Sequence, residues 1–170
     1  MKTSIVDLKT ISSLSQVSHL AVADFAPRVE PNTVLMCEPT YFTVKETQNP
    51  FMDGKVGSVN SERAMEQWGK LKSAFELQGH PVKVVAAQKD LEDMVFAANQ
   101  VLPGIDANGS PFVIMSEMRY PSRRREVPWY RTWFEDNGYR ILTLADSGLI
   151  KADSEPPCFE GQGDALWHPG

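Results

Sequence analysis

The sequence is poor in the residues that build disulfide scaffolds and metal sites, with two cysteines and three histidines among 170 residues. Cys37 and Cys158 do not make a disulfide framework, and so low a cysteine content fits a reducing cytoplasm. The histidines have no metal-ligand spacing with either cysteine, so no metal site is expected. A glycine-rich phosphate loop, a CxxC pair and a Ser-His-Asp arrangement are also missing, and no cofactor is expected.

Long apolar runs and an excess of positive charge are missing as well. No run approaches the roughly 20 apolar residues of a membrane span, and the N-terminus shows no compact apolar region of a secretory signal. The net charge of -5 argues against a general nucleic-acid or membrane-surface binder. With 42% apolar and 23% charged residues, the composition is that of a soluble globular protein. We therefore expect a cytoplasmic protein with one domain and no nucleic-acid or membrane partner.

The sequence does contain apolar strands and two amphipathic helices. Residues 1–30 have weak periodicity and are interpreted as an N-terminal extension to a domain at 31–170. Apolar patterning predicts strands at 34–38, 82–86, 112–116 and 140–144, and helices at 61–78 and 126–137. Asn60 or Ser61 suits the cap of the first helix, and glycines suit both helix ends. The long polar segment at 39–60 is typical of a lid or binding loop.

An internal repeat links the two halves of the domain. The segment Val34–Glu38 matches Val113–Glu117, and Phe75–Gly79 matches Phe134–Gly138. Both pairs follow the same order of strand, helix, glycine and second strand. Two matches in one order indicate an α/β architecture made of repeated strand–helix–strand modules.

The first candidate site is the segment from Asp93 to Asn99, where two polar residues bracket an apolar centre. Read as a strand, the even spacing places both side chains on one face, separated by roughly 20 Å if fully extended. They could then point into one cleft. The structural alternative is a strand that simply has polar ends.

The second candidate is the arginine-rich segment from Arg119 to Glu126, which joins a predicted strand to a predicted helix. Guanidinium groups bind carboxylate or phosphate with paired hydrogen bonds, so this segment suits an anion. Neighbouring aromatic residues leave RNA binding open. The structural alternative is a solvated loop in which Glu126 balances part of the charge.

The third candidate is the segment Phe159–Leu166, at a predicted strand end. Glu160 and Asp164 flank the glycines Gly161 and Gly163, and glycine lets the backbone approach a ligand or another strand closely. A glutamate placed there suits ligand binding or proton transfer. Together with the groups at 93, 99 and 123, these carboxylates suit a zwitterionic ligand such as arginine.

With these segments the chain resembles the guanidino-group-modifying enzymes: amidinotransferases, arginine deiminases and dimethylarginine dimethylaminohydrolases. The matching segments occur in the family's order from about residue 33 onward: Met36–Pro39, Asn49–Met52, Asp93–Asn99, Ser122–Arg124 with Glu126, and Phe159–Leu166. The resemblance implies a pentein fold, which is a ring of ββαβ modules. About two modules and the start of a third would be present, as a partial ring.

The resemblance also implies site roles. In the family, the acidic residue that matches Asp93 lies near the substrate guanidinium. The arginine that matches Arg123 binds the substrate carboxylate. Glu160 matches the catalytic or guanidinium-binding carboxylate. Asn99 stands where the family usually has Asp, which indicates a different subfamily or substrate.

Three further residues complete the implied substrate site. Asn49 and Phe51 match a segment near the site entrance, and Asp164 is counted among the substrate-binding residues. The implied partner is a guanidino compound such as arginine or a derivative.

One departure from the family limits the expected activity. The family's general acid–base histidine and nucleophilic cysteine, which lie beyond the glutamate segment, have no counterpart here, and Cys37 matches a structural position that is expected to be buried. Without a thiolate no covalent intermediate forms, so we expect the chain to be inactive alone. It is interpreted as the front part of an enzyme that hydrolyses or transfers amidino groups, expected to self-associate or pair with a C-terminal fragment. The alternative is a non-catalytic binding or interaction module that pairs with a second chain.

Overall fold

The computed structural model describes residues 32–47, 49–106, 108–147 and 157–167, so the predicted extension at 1–30 lies outside the described residues. The strands in this part are β1 (Val34–Cys37), β2 (Val82–Val85), β3 (Val101–Ile105), β4 (Pro111–Met115) and β5 (Arg140–Leu142). The α-helices are α1 (Ser61–Leu77), the short α2 (Pro121–Arg124) and α3 (Val127–Asp136). The mixed α/β class expected from the sequence is confirmed.

The strands form two sheets. In the first sheet β1 pairs with β2 in parallel, with Val34 opposite Val82. In the second sheet β4 is central, antiparallel to β3 and parallel to β5, with Val113 opposite Ile141. Each parallel pair is joined through a helix, as a parallel connection requires. The two predicted strand–helix–strand units are therefore confirmed, and the chain from β3 to β5 runs strand, strand, helix, strand.

Both long helices end as their sequences predict. The side chain of Asn60 accepts the N–H of Arg63 at 2.9 Å and caps the start of α1. Gly79 and Gly138 follow the helices with φ of +84° and +79°, the left-handed conformation that glycine adopts without strain. The residue after each glycine donates its N–H to the phenylalanine carbonyl five positions earlier, at 3.0 Å in both units. The repeat thus extends to the hydrogen bonds of the helix ends.

The core lies between the sheets' inner faces and α3. Its buried side chains are Cys37, Val85, Leu91, Met94, Val101, Val113, Met115, Tyr130 and Phe134. The Tyr130 hydroxyl donates to the backbone carbonyl of Met94 at 2.5 Å, so its buried polar atom is satisfied. Cys37 is only 1% exposed, which confirms its interpretation as a buried small residue.

The predicted strand from Asp93 to Asn99 is wrong. The chain there forms two 3₁₀ turns, Glu92–Val95 and Ala97–Asn99. The N–H of Phe96 donates to Asp93 O at 3.0 Å, and that of Asn99 donates to Phe96 O at 3.1 Å. Local turns satisfy these backbone groups, and the segment rises about 2 Å per residue where it is wound. The extended separation of the two polar side chains therefore does not apply.

Strand β3 is absent from the sequence-based assignment, because Pro103 and Gly104 interrupt the strand pattern. The structure gives Gly104 a packing reason: a β-carbon there would lie 2.4 Å from the ring of Phe112 on the paired strand. Strand β5 ends at Leu142, before the predicted limit, because the Asp146 carboxylate accepts the Thr143 N–H at 2.7 Å and its hydroxyl at 2.8 Å. That contact turns the chain out of the sheet.

Candidate functional site

Four of the predicted site residues, distant in sequence, converge on one cluster. Arg123 is 6% exposed, and its Nη1 lies 3.7 Å from Glu160 Oε2. Asn99 Nδ2 donates to the same Glu160 oxygen at 3.4 Å. Arg123 Nη2 donates to the carbonyl of Asp93 at 3.4 Å. The turns after β2, the helix after β4 and the segment after residue 157 therefore meet at one place.

Glu160 is held by contacts on both sides of it. Phe159 and Glu117 exchange two backbone hydrogen bonds of 2.8 and 2.9 Å in an isolated bridge. Gly161 then turns with φ of +54°, and a β-carbon on it would lie 2.5 Å from Val101 O in β3. Only glycine fits this approach to a neighbouring strand, which confirms the expectation for this glycine. Glu160 is thus fastened between β3 and the end of β4.

Asp164 has a local structural contact. Its Oδ2 accepts the backbone N–H of Glu160 at 2.7 Å, across the 3₁₀ turn Gly161–Gly163. The carboxylate of Asp164 therefore stabilises the turn that presents Glu160.

A buried glutamate lies behind Arg123. Glu126 Oε2 is 3.4 Å from Arg123 Nε and 3.3 Å from Nη2, and it accepts Gln100 Nε2 at 2.7 Å. Burial raises the pKa of Glu126 to about 7, although the Arg123 charge and the Gln100 bond oppose the shift. From the sequence, Glu126 was expected only to balance part of the arginine charge. Its position three residues after Arg123, next to a helix start, could have indicated an ion pair with that arginine.

Asp93 faces an open cleft beside this cluster. The cleft holds about 190 Å³ of space, partly open solvent, and is lined by Thr43, Val44, Lys45, Glu46, Met52, Glu92 and Asp93. Burial raises the pKa of Asp93, and the Arg123 charge opposes that rise. Lys45 Nζ binds Glu92 Oε2 at 2.6 Å and ties the long loop to the Asp93 turn. The predicted binding loop therefore does border this acidic group.

Asn49 and Phe51 lie in the same loop but not in the cluster. Asn49 Oδ1 accepts the N–H of Phe51 at 2.9 Å and caps the turn Pro50–Met52. The ring of Phe51 is 92% exposed. Within the described ranges neither residue shows a hydrogen bond to the Arg123 cluster, although their neighbour Met52 lines the cleft. The structure thus places both at the outer part of the loop.

The chain's thiols do not form part of this cluster. Cys37 is buried in β1, and burial raises its pKa to about 11, although a hydrogen bond with Tyr130 opposes the shift. A thiol that stays protonated at neutral pH is a poor nucleophile. Cys158 is exposed, two positions before Glu160.

The described residues show neither a metal-binding cluster nor a membrane-spanning helix. No group of three or more His, Cys, Asp or Glu side chains there could hold a metal ion. No helix in the same residues is long and apolar enough to cross a membrane.

Comparison with known proteins relates the chain to enzymes of arginine breakdown. No protein-family model matches it. It is 35% identical over 134 residues to the bifunctional arginine dihydrolase/ornithine cyclodeaminase ArgZ of Synechocystis sp., a match that covers 79% of this chain and 17% of ArgZ. An uncharacterized protein of Caenorhabditis elegans is 32% identical over 161 residues, which is 95% of this chain and 48% of that protein.

A solved structure supports the same relationship. The crystal structure of the N-terminal domain of ArgZ, as a cysteine-to-serine variant bound to substrate, matches with a TM-score of 0.66 and 34% identity. The match covers 78% of this chain and 44% of that domain. The chain is therefore homologous to part of the N-terminal domain of an arginine dihydrolase, and it spans less than half the length of these relatives.

Proposed function

We propose that this chain carries the guanidinium-binding part of an enzyme that acts on arginine or a related guanidino compound. The observation that carries the proposal is that Asp93, Asn99 and Glu160 meet around Arg123, with Asp93 also lining a cleft, in a chain homologous to an arginine dihydrolase domain.

The chemistry of these groups suits a guanidinium ion. Carboxylates bind that planar cation with short, charge-assisted hydrogen bonds. Asp93 is 6% exposed and faces the cleft, so an ion pair formed there is poorly screened. Asn99 contributes a neutral amide. A carboxylate at this position would raise the negative charge of the site further. The site therefore orients the guanidinium with two charged groups and one neutral group.

The remaining predicted residues have supporting roles. Asp164 holds the turn that carries Glu160, and Asn49 holds the exposed loop turn of Phe51, next to the cleft residue Met52, which we assign to the site entrance. Phe51 then covers a bound substrate from the solvent side. The order strand, strand, helix, strand from β3 to β5 supports a pentein ring, of which residues 31–170 form two modules and the start of a third.

The proposed reaction is hydrolysis or amidino transfer. A thiolate adds to the central guanidinium carbon, the C–N bond to the leaving amine breaks, and an acid protonates that amine. Water or a second amine then releases the product and restores the thiol. In this proposal the thiolate and the acid–base histidine lie outside these 170 residues, because Cys37 is buried with a raised pKa and Cys158 precedes Glu160, whereas the family's nucleophile follows the glutamate segment. The ArgZ variant that lacks a cysteine and holds substrate supports a thiol mechanism.

The first test is a titration of the 170-residue chain with L-arginine by calorimetry, beside an assay for ammonia and amino-acid products. We expect binding without turnover. Asp93→Asn and Glu160→Gln should weaken binding about 10-fold to 100-fold, since a hydrogen bond to a charged group contributes roughly 1.5–3 kcal/mol. Matched controls are Asp136→Asn and Glu135→Gln on the exposed face of α3, which should leave affinity unchanged.

Two results would contradict the proposal. Equal affinity in Glu160→Gln and Glu135→Gln would remove Glu160 from the site. Turnover by the chain alone would show that it contains its nucleophile, and Cys37→Ala and Cys158→Ala would then identify the thiol. The binding-module alternative also predicts binding without turnover, in a chain that pairs with a second protein. Addition of a fragment that supplies cysteine and histidine decides between the two, because only the enzyme then releases ammonia.

A further inference from the structure

The two strand–helix–strand units differ at one edge of their sheets. In the second unit β4 lies between the antiparallel β3 and the parallel β5. In the first unit β1 pairs with β2 alone among the described strands. The segment Val34–Glu38 of β1 matches Val113–Glu117 of β4 in the internal repeat, so the first unit has no counterpart of β3 within the described residues. The free edge of β1 therefore corresponds to the edge of β4 that β3 occupies.

The backbone hydrogen bonds show which residues of β1 face this edge. The N–H of Val34 donates to Pro81 O at 2.9 Å, so the backbone groups of Val34 are directed toward β2. Because the backbone groups of successive residues alternate between the two edges of a strand, those of Leu35 and Cys37 are directed to the free edge. Neither of these two N–H groups has an acceptor among the described residues.

The second unit shows what such an edge binds. Ser116 matches Cys37 in the repeat, and its N–H donates at 3.1 Å to the carbonyl of Gln100, the residue just before β3. Ile114, which matches the other outward residue of β1, lies opposite Leu102 in the same antiparallel ladder. The positions that face the free edge in the first unit therefore face an antiparallel strand in the second.

Burial makes it unfavourable to leave this edge unpaired. Cys37 is 1% exposed, so water reaches its N–H poorly. An unpaired N–H in a buried place is rare in folded proteins, because it loses its bond to water and gains none in return. Val34 and Leu35 are partly exposed, so the beginning of the edge is open. Unpaired edges of apolar strands readily pair with a further strand, and the free edge of β1 combines both conditions.

We propose that the free edge of β1 is the attachment site for the rest of the domain, which adds an apolar strand antiparallel to β1 in the register that β3 has on β4. The chain spans 44% of the ArgZ domain that it matches, so its relatives contain further segments that can supply a strand. The added strand has apolar residues at its centre, as β3 has Val101 and Leu102, which are both buried. Strand addition of this kind gains affinity from main-chain hydrogen bonds. The inference concerns the partner and does not depend on the ligand proposed above.

The first test measures amide hydrogen exchange by NMR in the full 170-residue chain at low concentration. We expect Leu35 and Cys37 to exchange at least about tenfold faster than Ile114 and Ser116, because only the latter pair faces a strand. Met36, which is directed toward β2, is the internal control and should exchange slowly. Equal protection of the two pairs would show that the edge is already occupied, which overturns the inference. Protection that rises with protein concentration would assign the edge to a second copy of the chain and would also overturn it.

The second test supplies a strand to the same chain. The probe is a synthetic peptide of residues 98–106, which contains β3, and at millimolar concentration it should slow exchange at Leu35 and Cys37. N-methylation of the peptide at Leu102 removes a donor that faces the partner strand and should abolish the effect. N-methylation at Val101, whose N–H is directed away from that strand, is the matched control and should preserve it. Equal protection by both methylated peptides, or protection by none of the three, would overturn the proposed register and attachment site.

Discussion

Gly163 lies against the side chain of Asn99. A β-carbon at Gly163 would stand 2.5 Å from Asn99 Nδ2, the atom that donates to Glu160 at 3.4 Å. The missing side chain at position 163 therefore leaves the space in which the Asn99 amide reaches Glu160. Two residues 64 positions apart in sequence thus determine together where the acidic group points.

Gly163→Ala should alter ligand binding more than stability. The atom it meets is the end of a side chain that can turn away, and the change then breaks the bond from Asn99 to Glu160. We expect L-arginine affinity to fall by about tenfold, the scale of one hydrogen bond to a charged group. Gly69→Ala in α1 is the matched control, since nothing lies within 4 Å of its added carbon. An unchanged affinity in Gly163→Ala, measured by calorimetry, would separate Asn99 from ligand binding.

Gly161→Ala should destabilise the Glu160 segment. The residue has φ of +54°, and its new carbon would lie 2.5 Å from a backbone oxygen that cannot turn away. Left-handed backbone costs a non-glycine residue about 1–2 kcal/mol, and the clash adds to that cost. Gly57→Ala, at φ of +68° with nothing within 4 Å, isolates the backbone part. Urea unfolding should show a larger loss for Gly161→Ala, with faster amide exchange at Phe159; equal losses would mean that the contact with β3 is loose.

The buried carboxyl of Glu126 should make stability depend on pH. Its folded pKa of about 7 lies above the ordinary 4.5, so between these values the folded chain holds a proton that the unfolded chain has released. The resulting stability is fully present below about pH 4.5 and is lost as pH rises through about 7, at up to about 1.4 kcal/mol per pH unit.

Glu126→Gln should remove that dependence. Urea unfolding at several pH values should show wild type losing stability relative to Glu126→Gln as pH rises, while the exposed Glu135→Gln follows wild type. Asp93 titrates in the same direction and is present in all three proteins, so the difference between the curves reports mainly Glu126, including its coupling to Asp93. Parallel curves for wild type and Glu126→Gln would show that Glu126 remains ionised in the folded chain.

The two cysteines should differ in reactivity. Cys158 is exposed, whereas burial shields Cys37 and raises its pKa to about 11. Alkylation at neutral pH, followed by intact mass, should add one group to the folded chain and two to the chain in urea. Rapid modification of Cys37 in the folded state would reopen its assignment as a structural residue.

Local features were predictable because a few neighbouring residues carry them. The cap at Asn60, the glycine ends at Gly79 and Gly138 and the strand–helix–strand repeat all follow from spacing and residue type. The predicted strand at Asp93–Asn99 failed because an apolar centre between polar residues also fits a pair of turns. Strand β3 was not predicted because Pro103 and Gly104 interrupt the strand pattern. The reason for Gly104 appears only in the folded chain, where the Phe112 ring on the partner strand occupies the space next to it.

The sequence by itself determined the two long helices, four of the five strands and the set of polar residues that suit a guanidino ligand. The tertiary structure decided how those residues are used. Arg123 was predicted as an anion ligand from its place in the sequence, and only in the folded chain does its guanidinium lie within 3.4 Å of Glu126 and of the carbonyls of Asp93 and Phe96. Local propensity is set within a few residues, whereas burial, charge pairing and the direction of each donor depend on distant segments that meet only when the chain is folded.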